Sequence, residues 1–145
     1  MRLCTRVRYG ARAMLDLAEH HGENCVSIKE VAERQEMSAR YLENLMAPIR
    51  SAGLVRTERG NYGGYVLGKS PSEITLGEIV RLLDGNPALV PCIDDATFCH
   101  RSPYCVTRVI WYRLEEAVTN LLDGITLADM VQMRNNIPVS MDAGK

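Results

Sequence analysis

The sequence predicts a mainly α-helical protein with a small β wing, in which a winged helix-turn-helix is followed by a long helix suited to dimerisation. Three observations lead to this fold class. Two short helix patterns are separated by a turn of about three residues, as in a helix-turn-helix. A glycine-containing hairpin follows them, and an apolar helical stripe of about 17 residues comes later. The 145 residues fit one small domain with an added arm.

The first helix is predicted over Tyr9 to His20, and Gly22 closes it. Its apolar residues recur at helical spacing, which is typical of an amphipathic helix with one buried face. Three polar residues, Arg12, Asp16 and Glu19, fall off this stripe. The stripe itself consists of Ala11, Met14, Leu15 and Ala18.

Two capping signals predict the helix-turn-helix. Ser27 and Glu30 form a capping box, in which hydroxyl and carboxylate satisfy each other's backbone N–H groups, so a second helix is predicted from about Ile28 to Gln35. Ser38 then caps a third helix, predicted over Ala39 to Ala52. The apolar face of the third helix carries Leu42, Leu45, Met46 and Ile49.

A β-hairpin is predicted directly after the third helix. The strand-like runs are Leu54 to Glu58 and Tyr65 to Gly68, and the turn between them spans Arg59 to Gly64. Glycines in this turn supply the positive backbone angles that a tight hairpin needs. A hairpin placed after a helix-turn-helix is a wing, and its tip carries Arg59.

The same kind of helix start is predicted twice in the second half of the chain. Thr75 and Glu78 form a capping box that opens a helix ending at about Asp84. The segment Ile74 to Val80 is echoed by Ile125 to Val131, with Ile-Thr-Leu at the start of each. Two copies are too few for a repeat array, so we interpret the echo as one N-capped helix start used twice.

Between these two helix starts, an irregular stretch leads into a long helix. Asn86 to Tyr104 carries three prolines and no helical periodicity, whereas Val106 to Leu122 has a continuous apolar stripe. A small winged domain cannot easily bury so long a stripe, so the sequence predicts a homodimer through this helix. The expected division is a winged helix-turn-helix domain at 1–85, a cysteine-bearing loop at 86–105, the dimerisation and C-terminal helices at 106–137, and a disordered tail at 138–145.

Charge and hydropathy narrow the function classes. The net charge of -1 gives no overall basic signature, but residues 38–59 hold four arginines against two glutamates, as on one face of a DNA-binding protein. No apolar run approaches the roughly 20 residues of a membrane span, and the N-terminal residues do not read as a signal peptide. We therefore expect a cytoplasmic protein without a membrane segment.

Three of the five cysteines, Cys92, Cys99 and Cys105, are clustered, with six and five residues between them. An odd number of cysteines without a signal peptide fits metal or redox chemistry better than a secreted disulfide framework. Soft thiolates bind iron-sulfur clusters or zinc. The residues alone leave a cluster, a zinc ion and a purely structural role open. Cys4 and Cys25 stand apart and are expected to be ordinary small apolar residues.

The wing sequence Arg-Gly-x-x-Gly-Gly-Tyr at 59–65 and the three-cysteine loop are specific in combination. Together with other segments they resemble the Rrf-type family of bacterial winged-helix regulators, which includes iron-sulfur cluster regulators and nitric-oxide sensors. The resemblance runs from Met1 to about Val131. The other matching segments are residues 1–3, 8–9, 13–16, 41–43, 53–55 and 67–68 and the two Ile-Thr-Leu helix starts.

The resemblance implies a homodimer on a roughly palindromic double-stranded DNA operator. Recognition helices would lie in successive major grooves, with the wings at the flanking minor groove. The expected DNA-binding residues are Ser38, Arg40, Tyr41 and Asn44 on the exposed N-terminal part of the third helix and Arg59 on the wing. Asparagine suits an adenine edge, and arginine suits guanine, phosphate or a narrow minor groove.

The resemblance also implies that Cys92, Cys99 and Cys105 hold a 2Fe-2S or 4Fe-4S cluster, whose state controls operator binding by a repressor that senses iron-sulfur, redox or nitric oxide status. The sequence departs from the family at the fourth ligand. Some members have histidine where this chain has Arg108, and others an acidic residue where it has Arg8. The open candidates are His100, Asp94, Asp95, the partner's Cys4, a small molecule and an unfilled iron position.

Two other classes of protein compete with this hypothesis. One is a cluster-free winged-helix regulator that acts through a partner protein or a thiol-disulfide switch. The other, an iron-sulfur carrier or redox enzyme, is less favoured because the sequence shows no Ser/His/Asp, paired-carboxylate or phosphate-loop arrangement. We therefore expect a regulator and not an enzyme.

Overall fold

The computed structural model describes residues 3–59, 63–85 and 88–137. Within them the chain forms seven α-helices, a two-stranded antiparallel sheet and three 3₁₀ turns, which confirms the predicted mainly α fold with a small wing. Half of the predicted wing turn, residues 60–62, and the predicted disordered tail lie outside the described residues. The elements are α1 Thr5–Glu19, α2 Ile28–Arg34, α3 Ala39–Ser51, β1 Val55–Glu58, β2 Gly64–Leu67, α4 Leu76–Asp84, α5 Pro91–Asp94, α6 Val106–Asp123 and α7 Leu127–Asn136, with 3₁₀ turns at Pro71–Glu73, Ala96–Phe98 and Ser102–Tyr104.

Helix α1 begins at Thr5, a turn earlier than the predicted start at Tyr9. Its N-cap residue, Cys4, makes no side-chain capping hydrogen bond, so the sequence contains no start signal at this end. Val7 in the added turn is buried. The buried face of α1 therefore starts a turn earlier than predicted. It also differs in its members, because Ala13 and Leu17 are buried, whereas the predicted Ala11 and Leu15 are only partly buried.

One hydrophobic core joins the two ends of the described chain. Helix α1 packs against α3, α4 and α7, and β1 packs against α3. The core thus includes a residue of the last helix beside residues of the first. Its largest fully buried apolar members are Met14, Leu42, Leu45, Met46, Ile49, Val55, Ile74, Ile79, Val80 and Leu127.

The two Ile-Thr-Leu helix starts are paired with each other. Both Thr75 and Thr126 form a capping box, and the two threonines face each other in an isolated antiparallel bridge. The Leu76 N–H donates to the Ile125 carbonyl at 2.8 Å, and the Leu127 N–H donates to the Ile74 carbonyl at 2.9 Å. The sequence echo therefore has a structural cause, since two similar helix starts pair and bring α7 onto the core.

The wing is anchored to the segment that precedes α2. Strands β1 and β2 pair from Val55–Leu67 to Glu58–Gly64. Val26 and Tyr65 exchange two backbone hydrogen bonds of 3.0 and 2.8 Å. These bonds fix β2 to the chain just before α2. A Cβ atom on Gly64 would lie 2.7 Å from the Val26 carbonyl oxygen, so this close approach requires glycine.

Helix α6 forms as predicted, but it has no buried residue over its 18 positions. It contacts α4, where Arg81 and Asp123 form an ion pair of 2.7 Å, and it contacts α5. Leu122 packs against the core, but most apolar side chains of α6 remain open to solvent, with Val106 at 73% and Leu121 at 63% exposed. So large an apolar surface on one helix is typical of an interaction face. Among the described helices, none has the length and apolar character needed to cross a bilayer.

We expect the Thr126→Ala variant to lower the free energy of unfolding by about 1 kcal/mol, because it removes a helix cap. The Thr126 hydroxyl accepts from the Asp129 N–H at 3.1 Å and donates to the Asp129 carboxylate at 2.7 Å. Thr126→Ser keeps both bonds and is the matched control. Chemical denaturation of the two variants tests this, and equal stability would show that the cap does not hold α7.

Candidate nucleic-acid interface and cysteine loop

Helix α3 presents a polar face to solvent because its other face is buried in the core. The Ser38 hydroxyl accepts a hydrogen bond from the Tyr41 N–H at 3.1 Å, which caps the helix as predicted. The turn before it places Glu36 at a φ of 54°, in the left-handed region. Ser38, Arg40 and Asn44 are exposed. These three predicted DNA-binding residues therefore share an accessible helix end, although the Ser38 oxygen already serves as a cap.

Tyr41 differs from the prediction, because it is half-buried and not part of an exposed surface. Its ring meets the Tyr9 ring edge-on, with centroids 5.9 Å apart and an interplanar angle of 86°. The Arg12 guanidinium, also on α1, lies 5.5 Å from the Tyr9 centroid. Tyr41 thus helps to position α3 against α1, and contact with DNA by Tyr41 stays a prediction.

Asp16 holds the helix-turn-helix to α1, a role that the sequence did not reveal. It was expected off the buried stripe, yet it is only 1% exposed. Arg34 binds its carboxylate with Nη2–Oδ1 at 2.6 Å and Nε–Oδ2 at 3.0 Å, and the Gln35 amide donates to Oδ2 at 2.8 Å. Arg12 donates to the Gln35 carbonyl at 2.7 Å. The hydrogen bond to Asp16 raises the pKa of Arg34.

This network explains why a carboxylate is tolerated in the core. A buried charge costs free energy unless it is paired and hydrogen-bonded. The Asp16 carboxylate receives three donors from two residues, both at the end of α2 and in the turn before α3. The segment that leads into α3 is therefore held to α1 by a charge-assisted contact as well as by apolar packing.

Arg59 follows β1 and is exposed at the edge of the described wing. Its neighbour Arg56 pairs with Glu58 at 3.2 Å, and no described carboxylate forms an ion pair with Arg59. An exposed guanidinium on a wing suits the narrow, negative minor groove of DNA. The wing and the N-terminal part of α3 thus both carry accessible polar or cationic groups.

The three clustered cysteines lie at successive points of the stretch before α6. Cys92 is in α5, Cys99 follows the second 3₁₀ turn, and Cys105 immediately precedes α6. All three are free and partly buried. The Arg108 Nε in the first turn of α6 donates to the Cys92 carbonyl at 2.7 Å. The cysteine loop is therefore tied directly to the long exposed helix.

The surroundings of Cys105 favour its thiolate. The Thr107 hydroxyl lies 3.2 Å from the Cys105 sulfur, and this hydrogen bond is the main cause that lowers the pKa of the thiol. The backbone N–H of Arg108 lowers the pKa further. A thiolate is the form of cysteine that binds metals.

The chemistry of Cys92, Cys99 and Cys105 decides whether the loop suits an iron-sulfur cluster. Three free thiols supply soft ligands, and the buried oxygen of Ser102, which lies between Cys99 and Cys105 in the sequence, has no hydrogen-bond partner in the described part of the chain. In chemical type, these donors fit a cluster. The described residues do not, however, bring three cysteine, histidine or acidic side chains together in a ready metal site. Binding would therefore require the loop to draw the sulfurs closer.

The candidates for a fourth ligand are not equivalent. Asp95 caps the following turn, accepting from the Thr97 hydroxyl at 2.6 Å and from its N–H at 2.8 Å, and these bonds lower the pKa of the Asp95 carboxyl. Asp94 and His100 are exposed. Arg108 is occupied by the Cys92 carbonyl and has no lone pair to offer a metal.

The helix-turn-helix, the anchored wing and the accessible cations together define a winged helix-turn-helix protein, a DNA-binding transcription regulator. Comparison with known proteins narrows the class further. The chain belongs to the Rrf2 family, described as an iron-dependent transcriptional regulator, whose profile matches residues 3–133. Its members are regulators, in agreement with the prediction that the chain is not an enzyme.

Individual relatives match nearly the whole chain. The HTH-type transcriptional regulator CymR of Bacillus subtilis is 42% identical over 130 residues, covering 90% of this chain and 89% of the relative. The solved structure of CymR (YrzC), the global cysteine regulator of B. subtilis, matches with a TM-score of 0.79 and 40% identity over 92% of this chain and 98% of that one. The structure of T. potens IscR matches with a TM-score of 0.76 and 40% identity, and the match covers 92% of this chain and 88% of that one.

Proposed function

We propose that the protein is a cytoplasmic homodimeric repressor whose affinity for a double-stranded operator is set by an iron-sulfur cluster on Cys92, Cys99 and Cys105. The hydrogen bond between Arg108 and the Cys92 carbonyl supports this proposal most directly. It connects the cysteine loop to α6, so a change of loop conformation reaches the long helix without an intermediate element.

On the DNA side, the exposed start of α3 would enter the major groove. Arg40 is accessible there for guanine or phosphate, and Asn44 is accessible for adenine. Ser38 fixes the start of the helix. Arg59 on the wing would reach the adjacent minor groove. A two-fold symmetric dimer repeats these contacts on the second half-site, one helical turn along the DNA.

On the dimer side, α6 would pair with α6 of a second copy. An 18-residue helix with no buried position leaves a continuous apolar face, which two copies would cover symmetrically. The face is formed by Val106, Val109, Ile110, Leu114 and Leu121. Because the dimer fixes the spacing between the two recognition helices, movement of α6 would alter the fit to the operator.

In the cysteine loop, the three thiolates would hold the cluster, whether of the 2Fe-2S or the 4Fe-4S type. The cluster supplies a redox-active centre that is sensitive to oxygen and nitric oxide. The residues themselves supply the coupling, since Cys92 is bound through its carbonyl to Arg108 and Cys105 is the N-cap of α6. The description of the family as iron-dependent agrees with this proposal.

Purification without oxygen, with visible spectra and iron and sulfide assays, tests the proposal. We expect charge-transfer bands at roughly 320–450 nm that disappear in Cys92→Ser, Cys99→Ser and Cys105→Ser. Cys25→Ser is the matched control and should keep the bands. Operator affinity should differ between the cluster-bound and cluster-free protein. A colourless, iron-free wild-type protein that binds its operator normally would exclude the cluster.

A second candidate function is a thiol switch without a cluster. It is favoured by the free state of all three loop cysteines and by the similarity to CymR, the global cysteine regulator of B. subtilis. In this case iron-free protein would change its operator affinity after treatment with hydrogen peroxide, which oxidises two thiols to a disulfide and is reduced to water. The change would reverse with dithiothreitol and would be absent from the triple serine variant.

We expect Arg59→Ala to weaken operator binding by about 5- to 150-fold, the range for loss of a specific arginine contact. Arg56→Ala is the matched control, because Arg56 is already paired with Glu58 and should lose less. Fluorescence anisotropy with labelled operator at one fixed salt concentration measures both. Equal losses for the two variants would contradict a specific role for Arg59.

A further inference from the structure

Ser102 carries the one side-chain oxygen in the described residues that is buried and has no hydrogen-bond partner. The residue is 6% exposed. The other buried polar residue of the described chain, Asp16, has a full set of donors. Buried polar groups in native proteins are nearly always satisfied, so an orphaned hydroxyl points to a partner outside the polypeptide.

Ser102 lies in the chain between two of the proposed ligands, Cys99 and Cys105. Its own N–H donates to the Cys99 carbonyl at 3.0 Å, and the 3₁₀ turn that it begins ends at Tyr104, immediately before Cys105. The backbone at this point is therefore engaged, and the hydroxyl remains the unused donor between two proposed ligands.

A second hydroxyl in the same stretch already serves a sulfur atom. Thr107 lies 3.2 Å from the Cys105 sulfur and lowers the pKa of that thiol. Thiolates and bridging sulfides accept hydrogen bonds, and such bonds help to set both cluster stability and reduction potential. The loop thus contains one hydroxyl engaged with sulfur and one without a partner.

We infer that the Ser102 hydroxyl donates a hydrogen bond to a sulfur of the group held by Cys92, Cys99 and Cys105. Ser102 is then a positioning residue that retains the group and stabilises its reduced, more negative form. This inference rests on the proposed function, because it takes the three cysteines as ligands of an iron-sulfur cluster.

The test compares Ser102→Ala with wild type after both are reconstituted with ferrous iron and sulfide without oxygen. We expect equal initial iron and sulfide content, a reduction potential shifted to more negative values, and faster bleaching of the visible bands in air. Ser102→Thr keeps the donor and should restore the potential toward that of wild type. Ser72→Ala removes an exposed hydroxyl that bonds to Ser70 at 3.0 Å and should change nothing.

The outcomes separate this inference from the proposed function. An unchanged potential and bleaching rate in Ser102→Ala would overturn the inference while the cluster stands. A wild-type protein that takes up no iron and sulfide would overturn both. Thermal unfolding of the iron-free proteins adds an independent reading. Ser102→Ala should be at least as stable as wild type without iron, and a less stable variant would show that the hydroxyl has another partner, which overturns the inference.

Discussion

Replacement of Ile110 by aspartate is expected to separate the proposed homodimer into protomers and to weaken binding to a full operator by at least about 100-fold. Ile110 is 52% exposed in the single chain and lies on the apolar face of α6. The substitution therefore costs the isolated protomer little. In a dimer it would bury an unpaired carboxylate, and a cost of about 3 kcal/mol corresponds to roughly 100-fold in affinity.

Analytical ultracentrifugation measures the dimer, and anisotropy with whole and half operators measures the DNA complex. Asn120→Asp is the matched control, because it adds the same charge to the same helix at an exposed position outside the apolar stripe. The control should remain dimeric. If Ile110→Asp also remained dimeric at micromolar concentration, another surface would join the protomers.

Replacement of Asp16 by alanine is expected to lower the free energy of unfolding by about 3 kcal/mol, the lower end of the range for breaking a buried ion pair. The lower end applies because the Arg34 side chain is 38% exposed and regains some hydration. The Arg34 guanidinium and the Gln35 side-chain N–H would both lose the carboxylate to which they donate. Since these residues precede α3, operator affinity should fall even under conditions in which the variant is folded.

Urea denaturation measures the stability change, with operator binding followed well below the unfolding midpoint. Glu58→Gln is the control, because it breaks an exposed pair with Arg56 and should change stability by no more than about 1 kcal/mol. A loss of similar size in both variants would mean that burial of the Asp16 pair contributes nothing beyond a surface ion pair.

Local signals predicted most of the fold because they act within a few residues. The capping boxes at Ser27 and Thr75 mark the starts of α2 and α4, and the echo at Thr126 marks α7. The long apolar stripe predicted α6 almost to the residue. In each case, the side chains that determine the element are neighbours in the sequence.

The errors have the opposite cause, because they depend on partners far along the chain. Asp16 looked solvent-facing until the fold brought Arg34, 18 positions away, to its carboxylate. Tyr41 became half-buried because Tyr9 packs on it. Some elements are too short for their apolar residues to recur at helical spacing. These are α5 and the 3₁₀ turns at 96–98 and 102–104.

For the candidate site, the sequence identified residue types better than their arrangement. Ser38, Arg40 and Asn44 are accessible, as a recognition surface requires, and Arg59 is exposed on the wing. The link from Arg108 to the Cys92 carbonyl and the orphaned Ser102 hydroxyl depend on loop geometry that spacing does not encode. The binding roles of all these residues stay predictions for the experiments above.

The pairing of Thr75 with Thr126 has a consequence for the order in which the newly made protein matures. The core around α1 is closed by Leu127, which lies far toward the end of the chain. On the ribosome, the N-terminal half emerges first but cannot complete this core until α7 has been translated. By then the cysteine loop and α6 have also been made. A chain with a completed core around α1 therefore always includes the cysteine loop and α6.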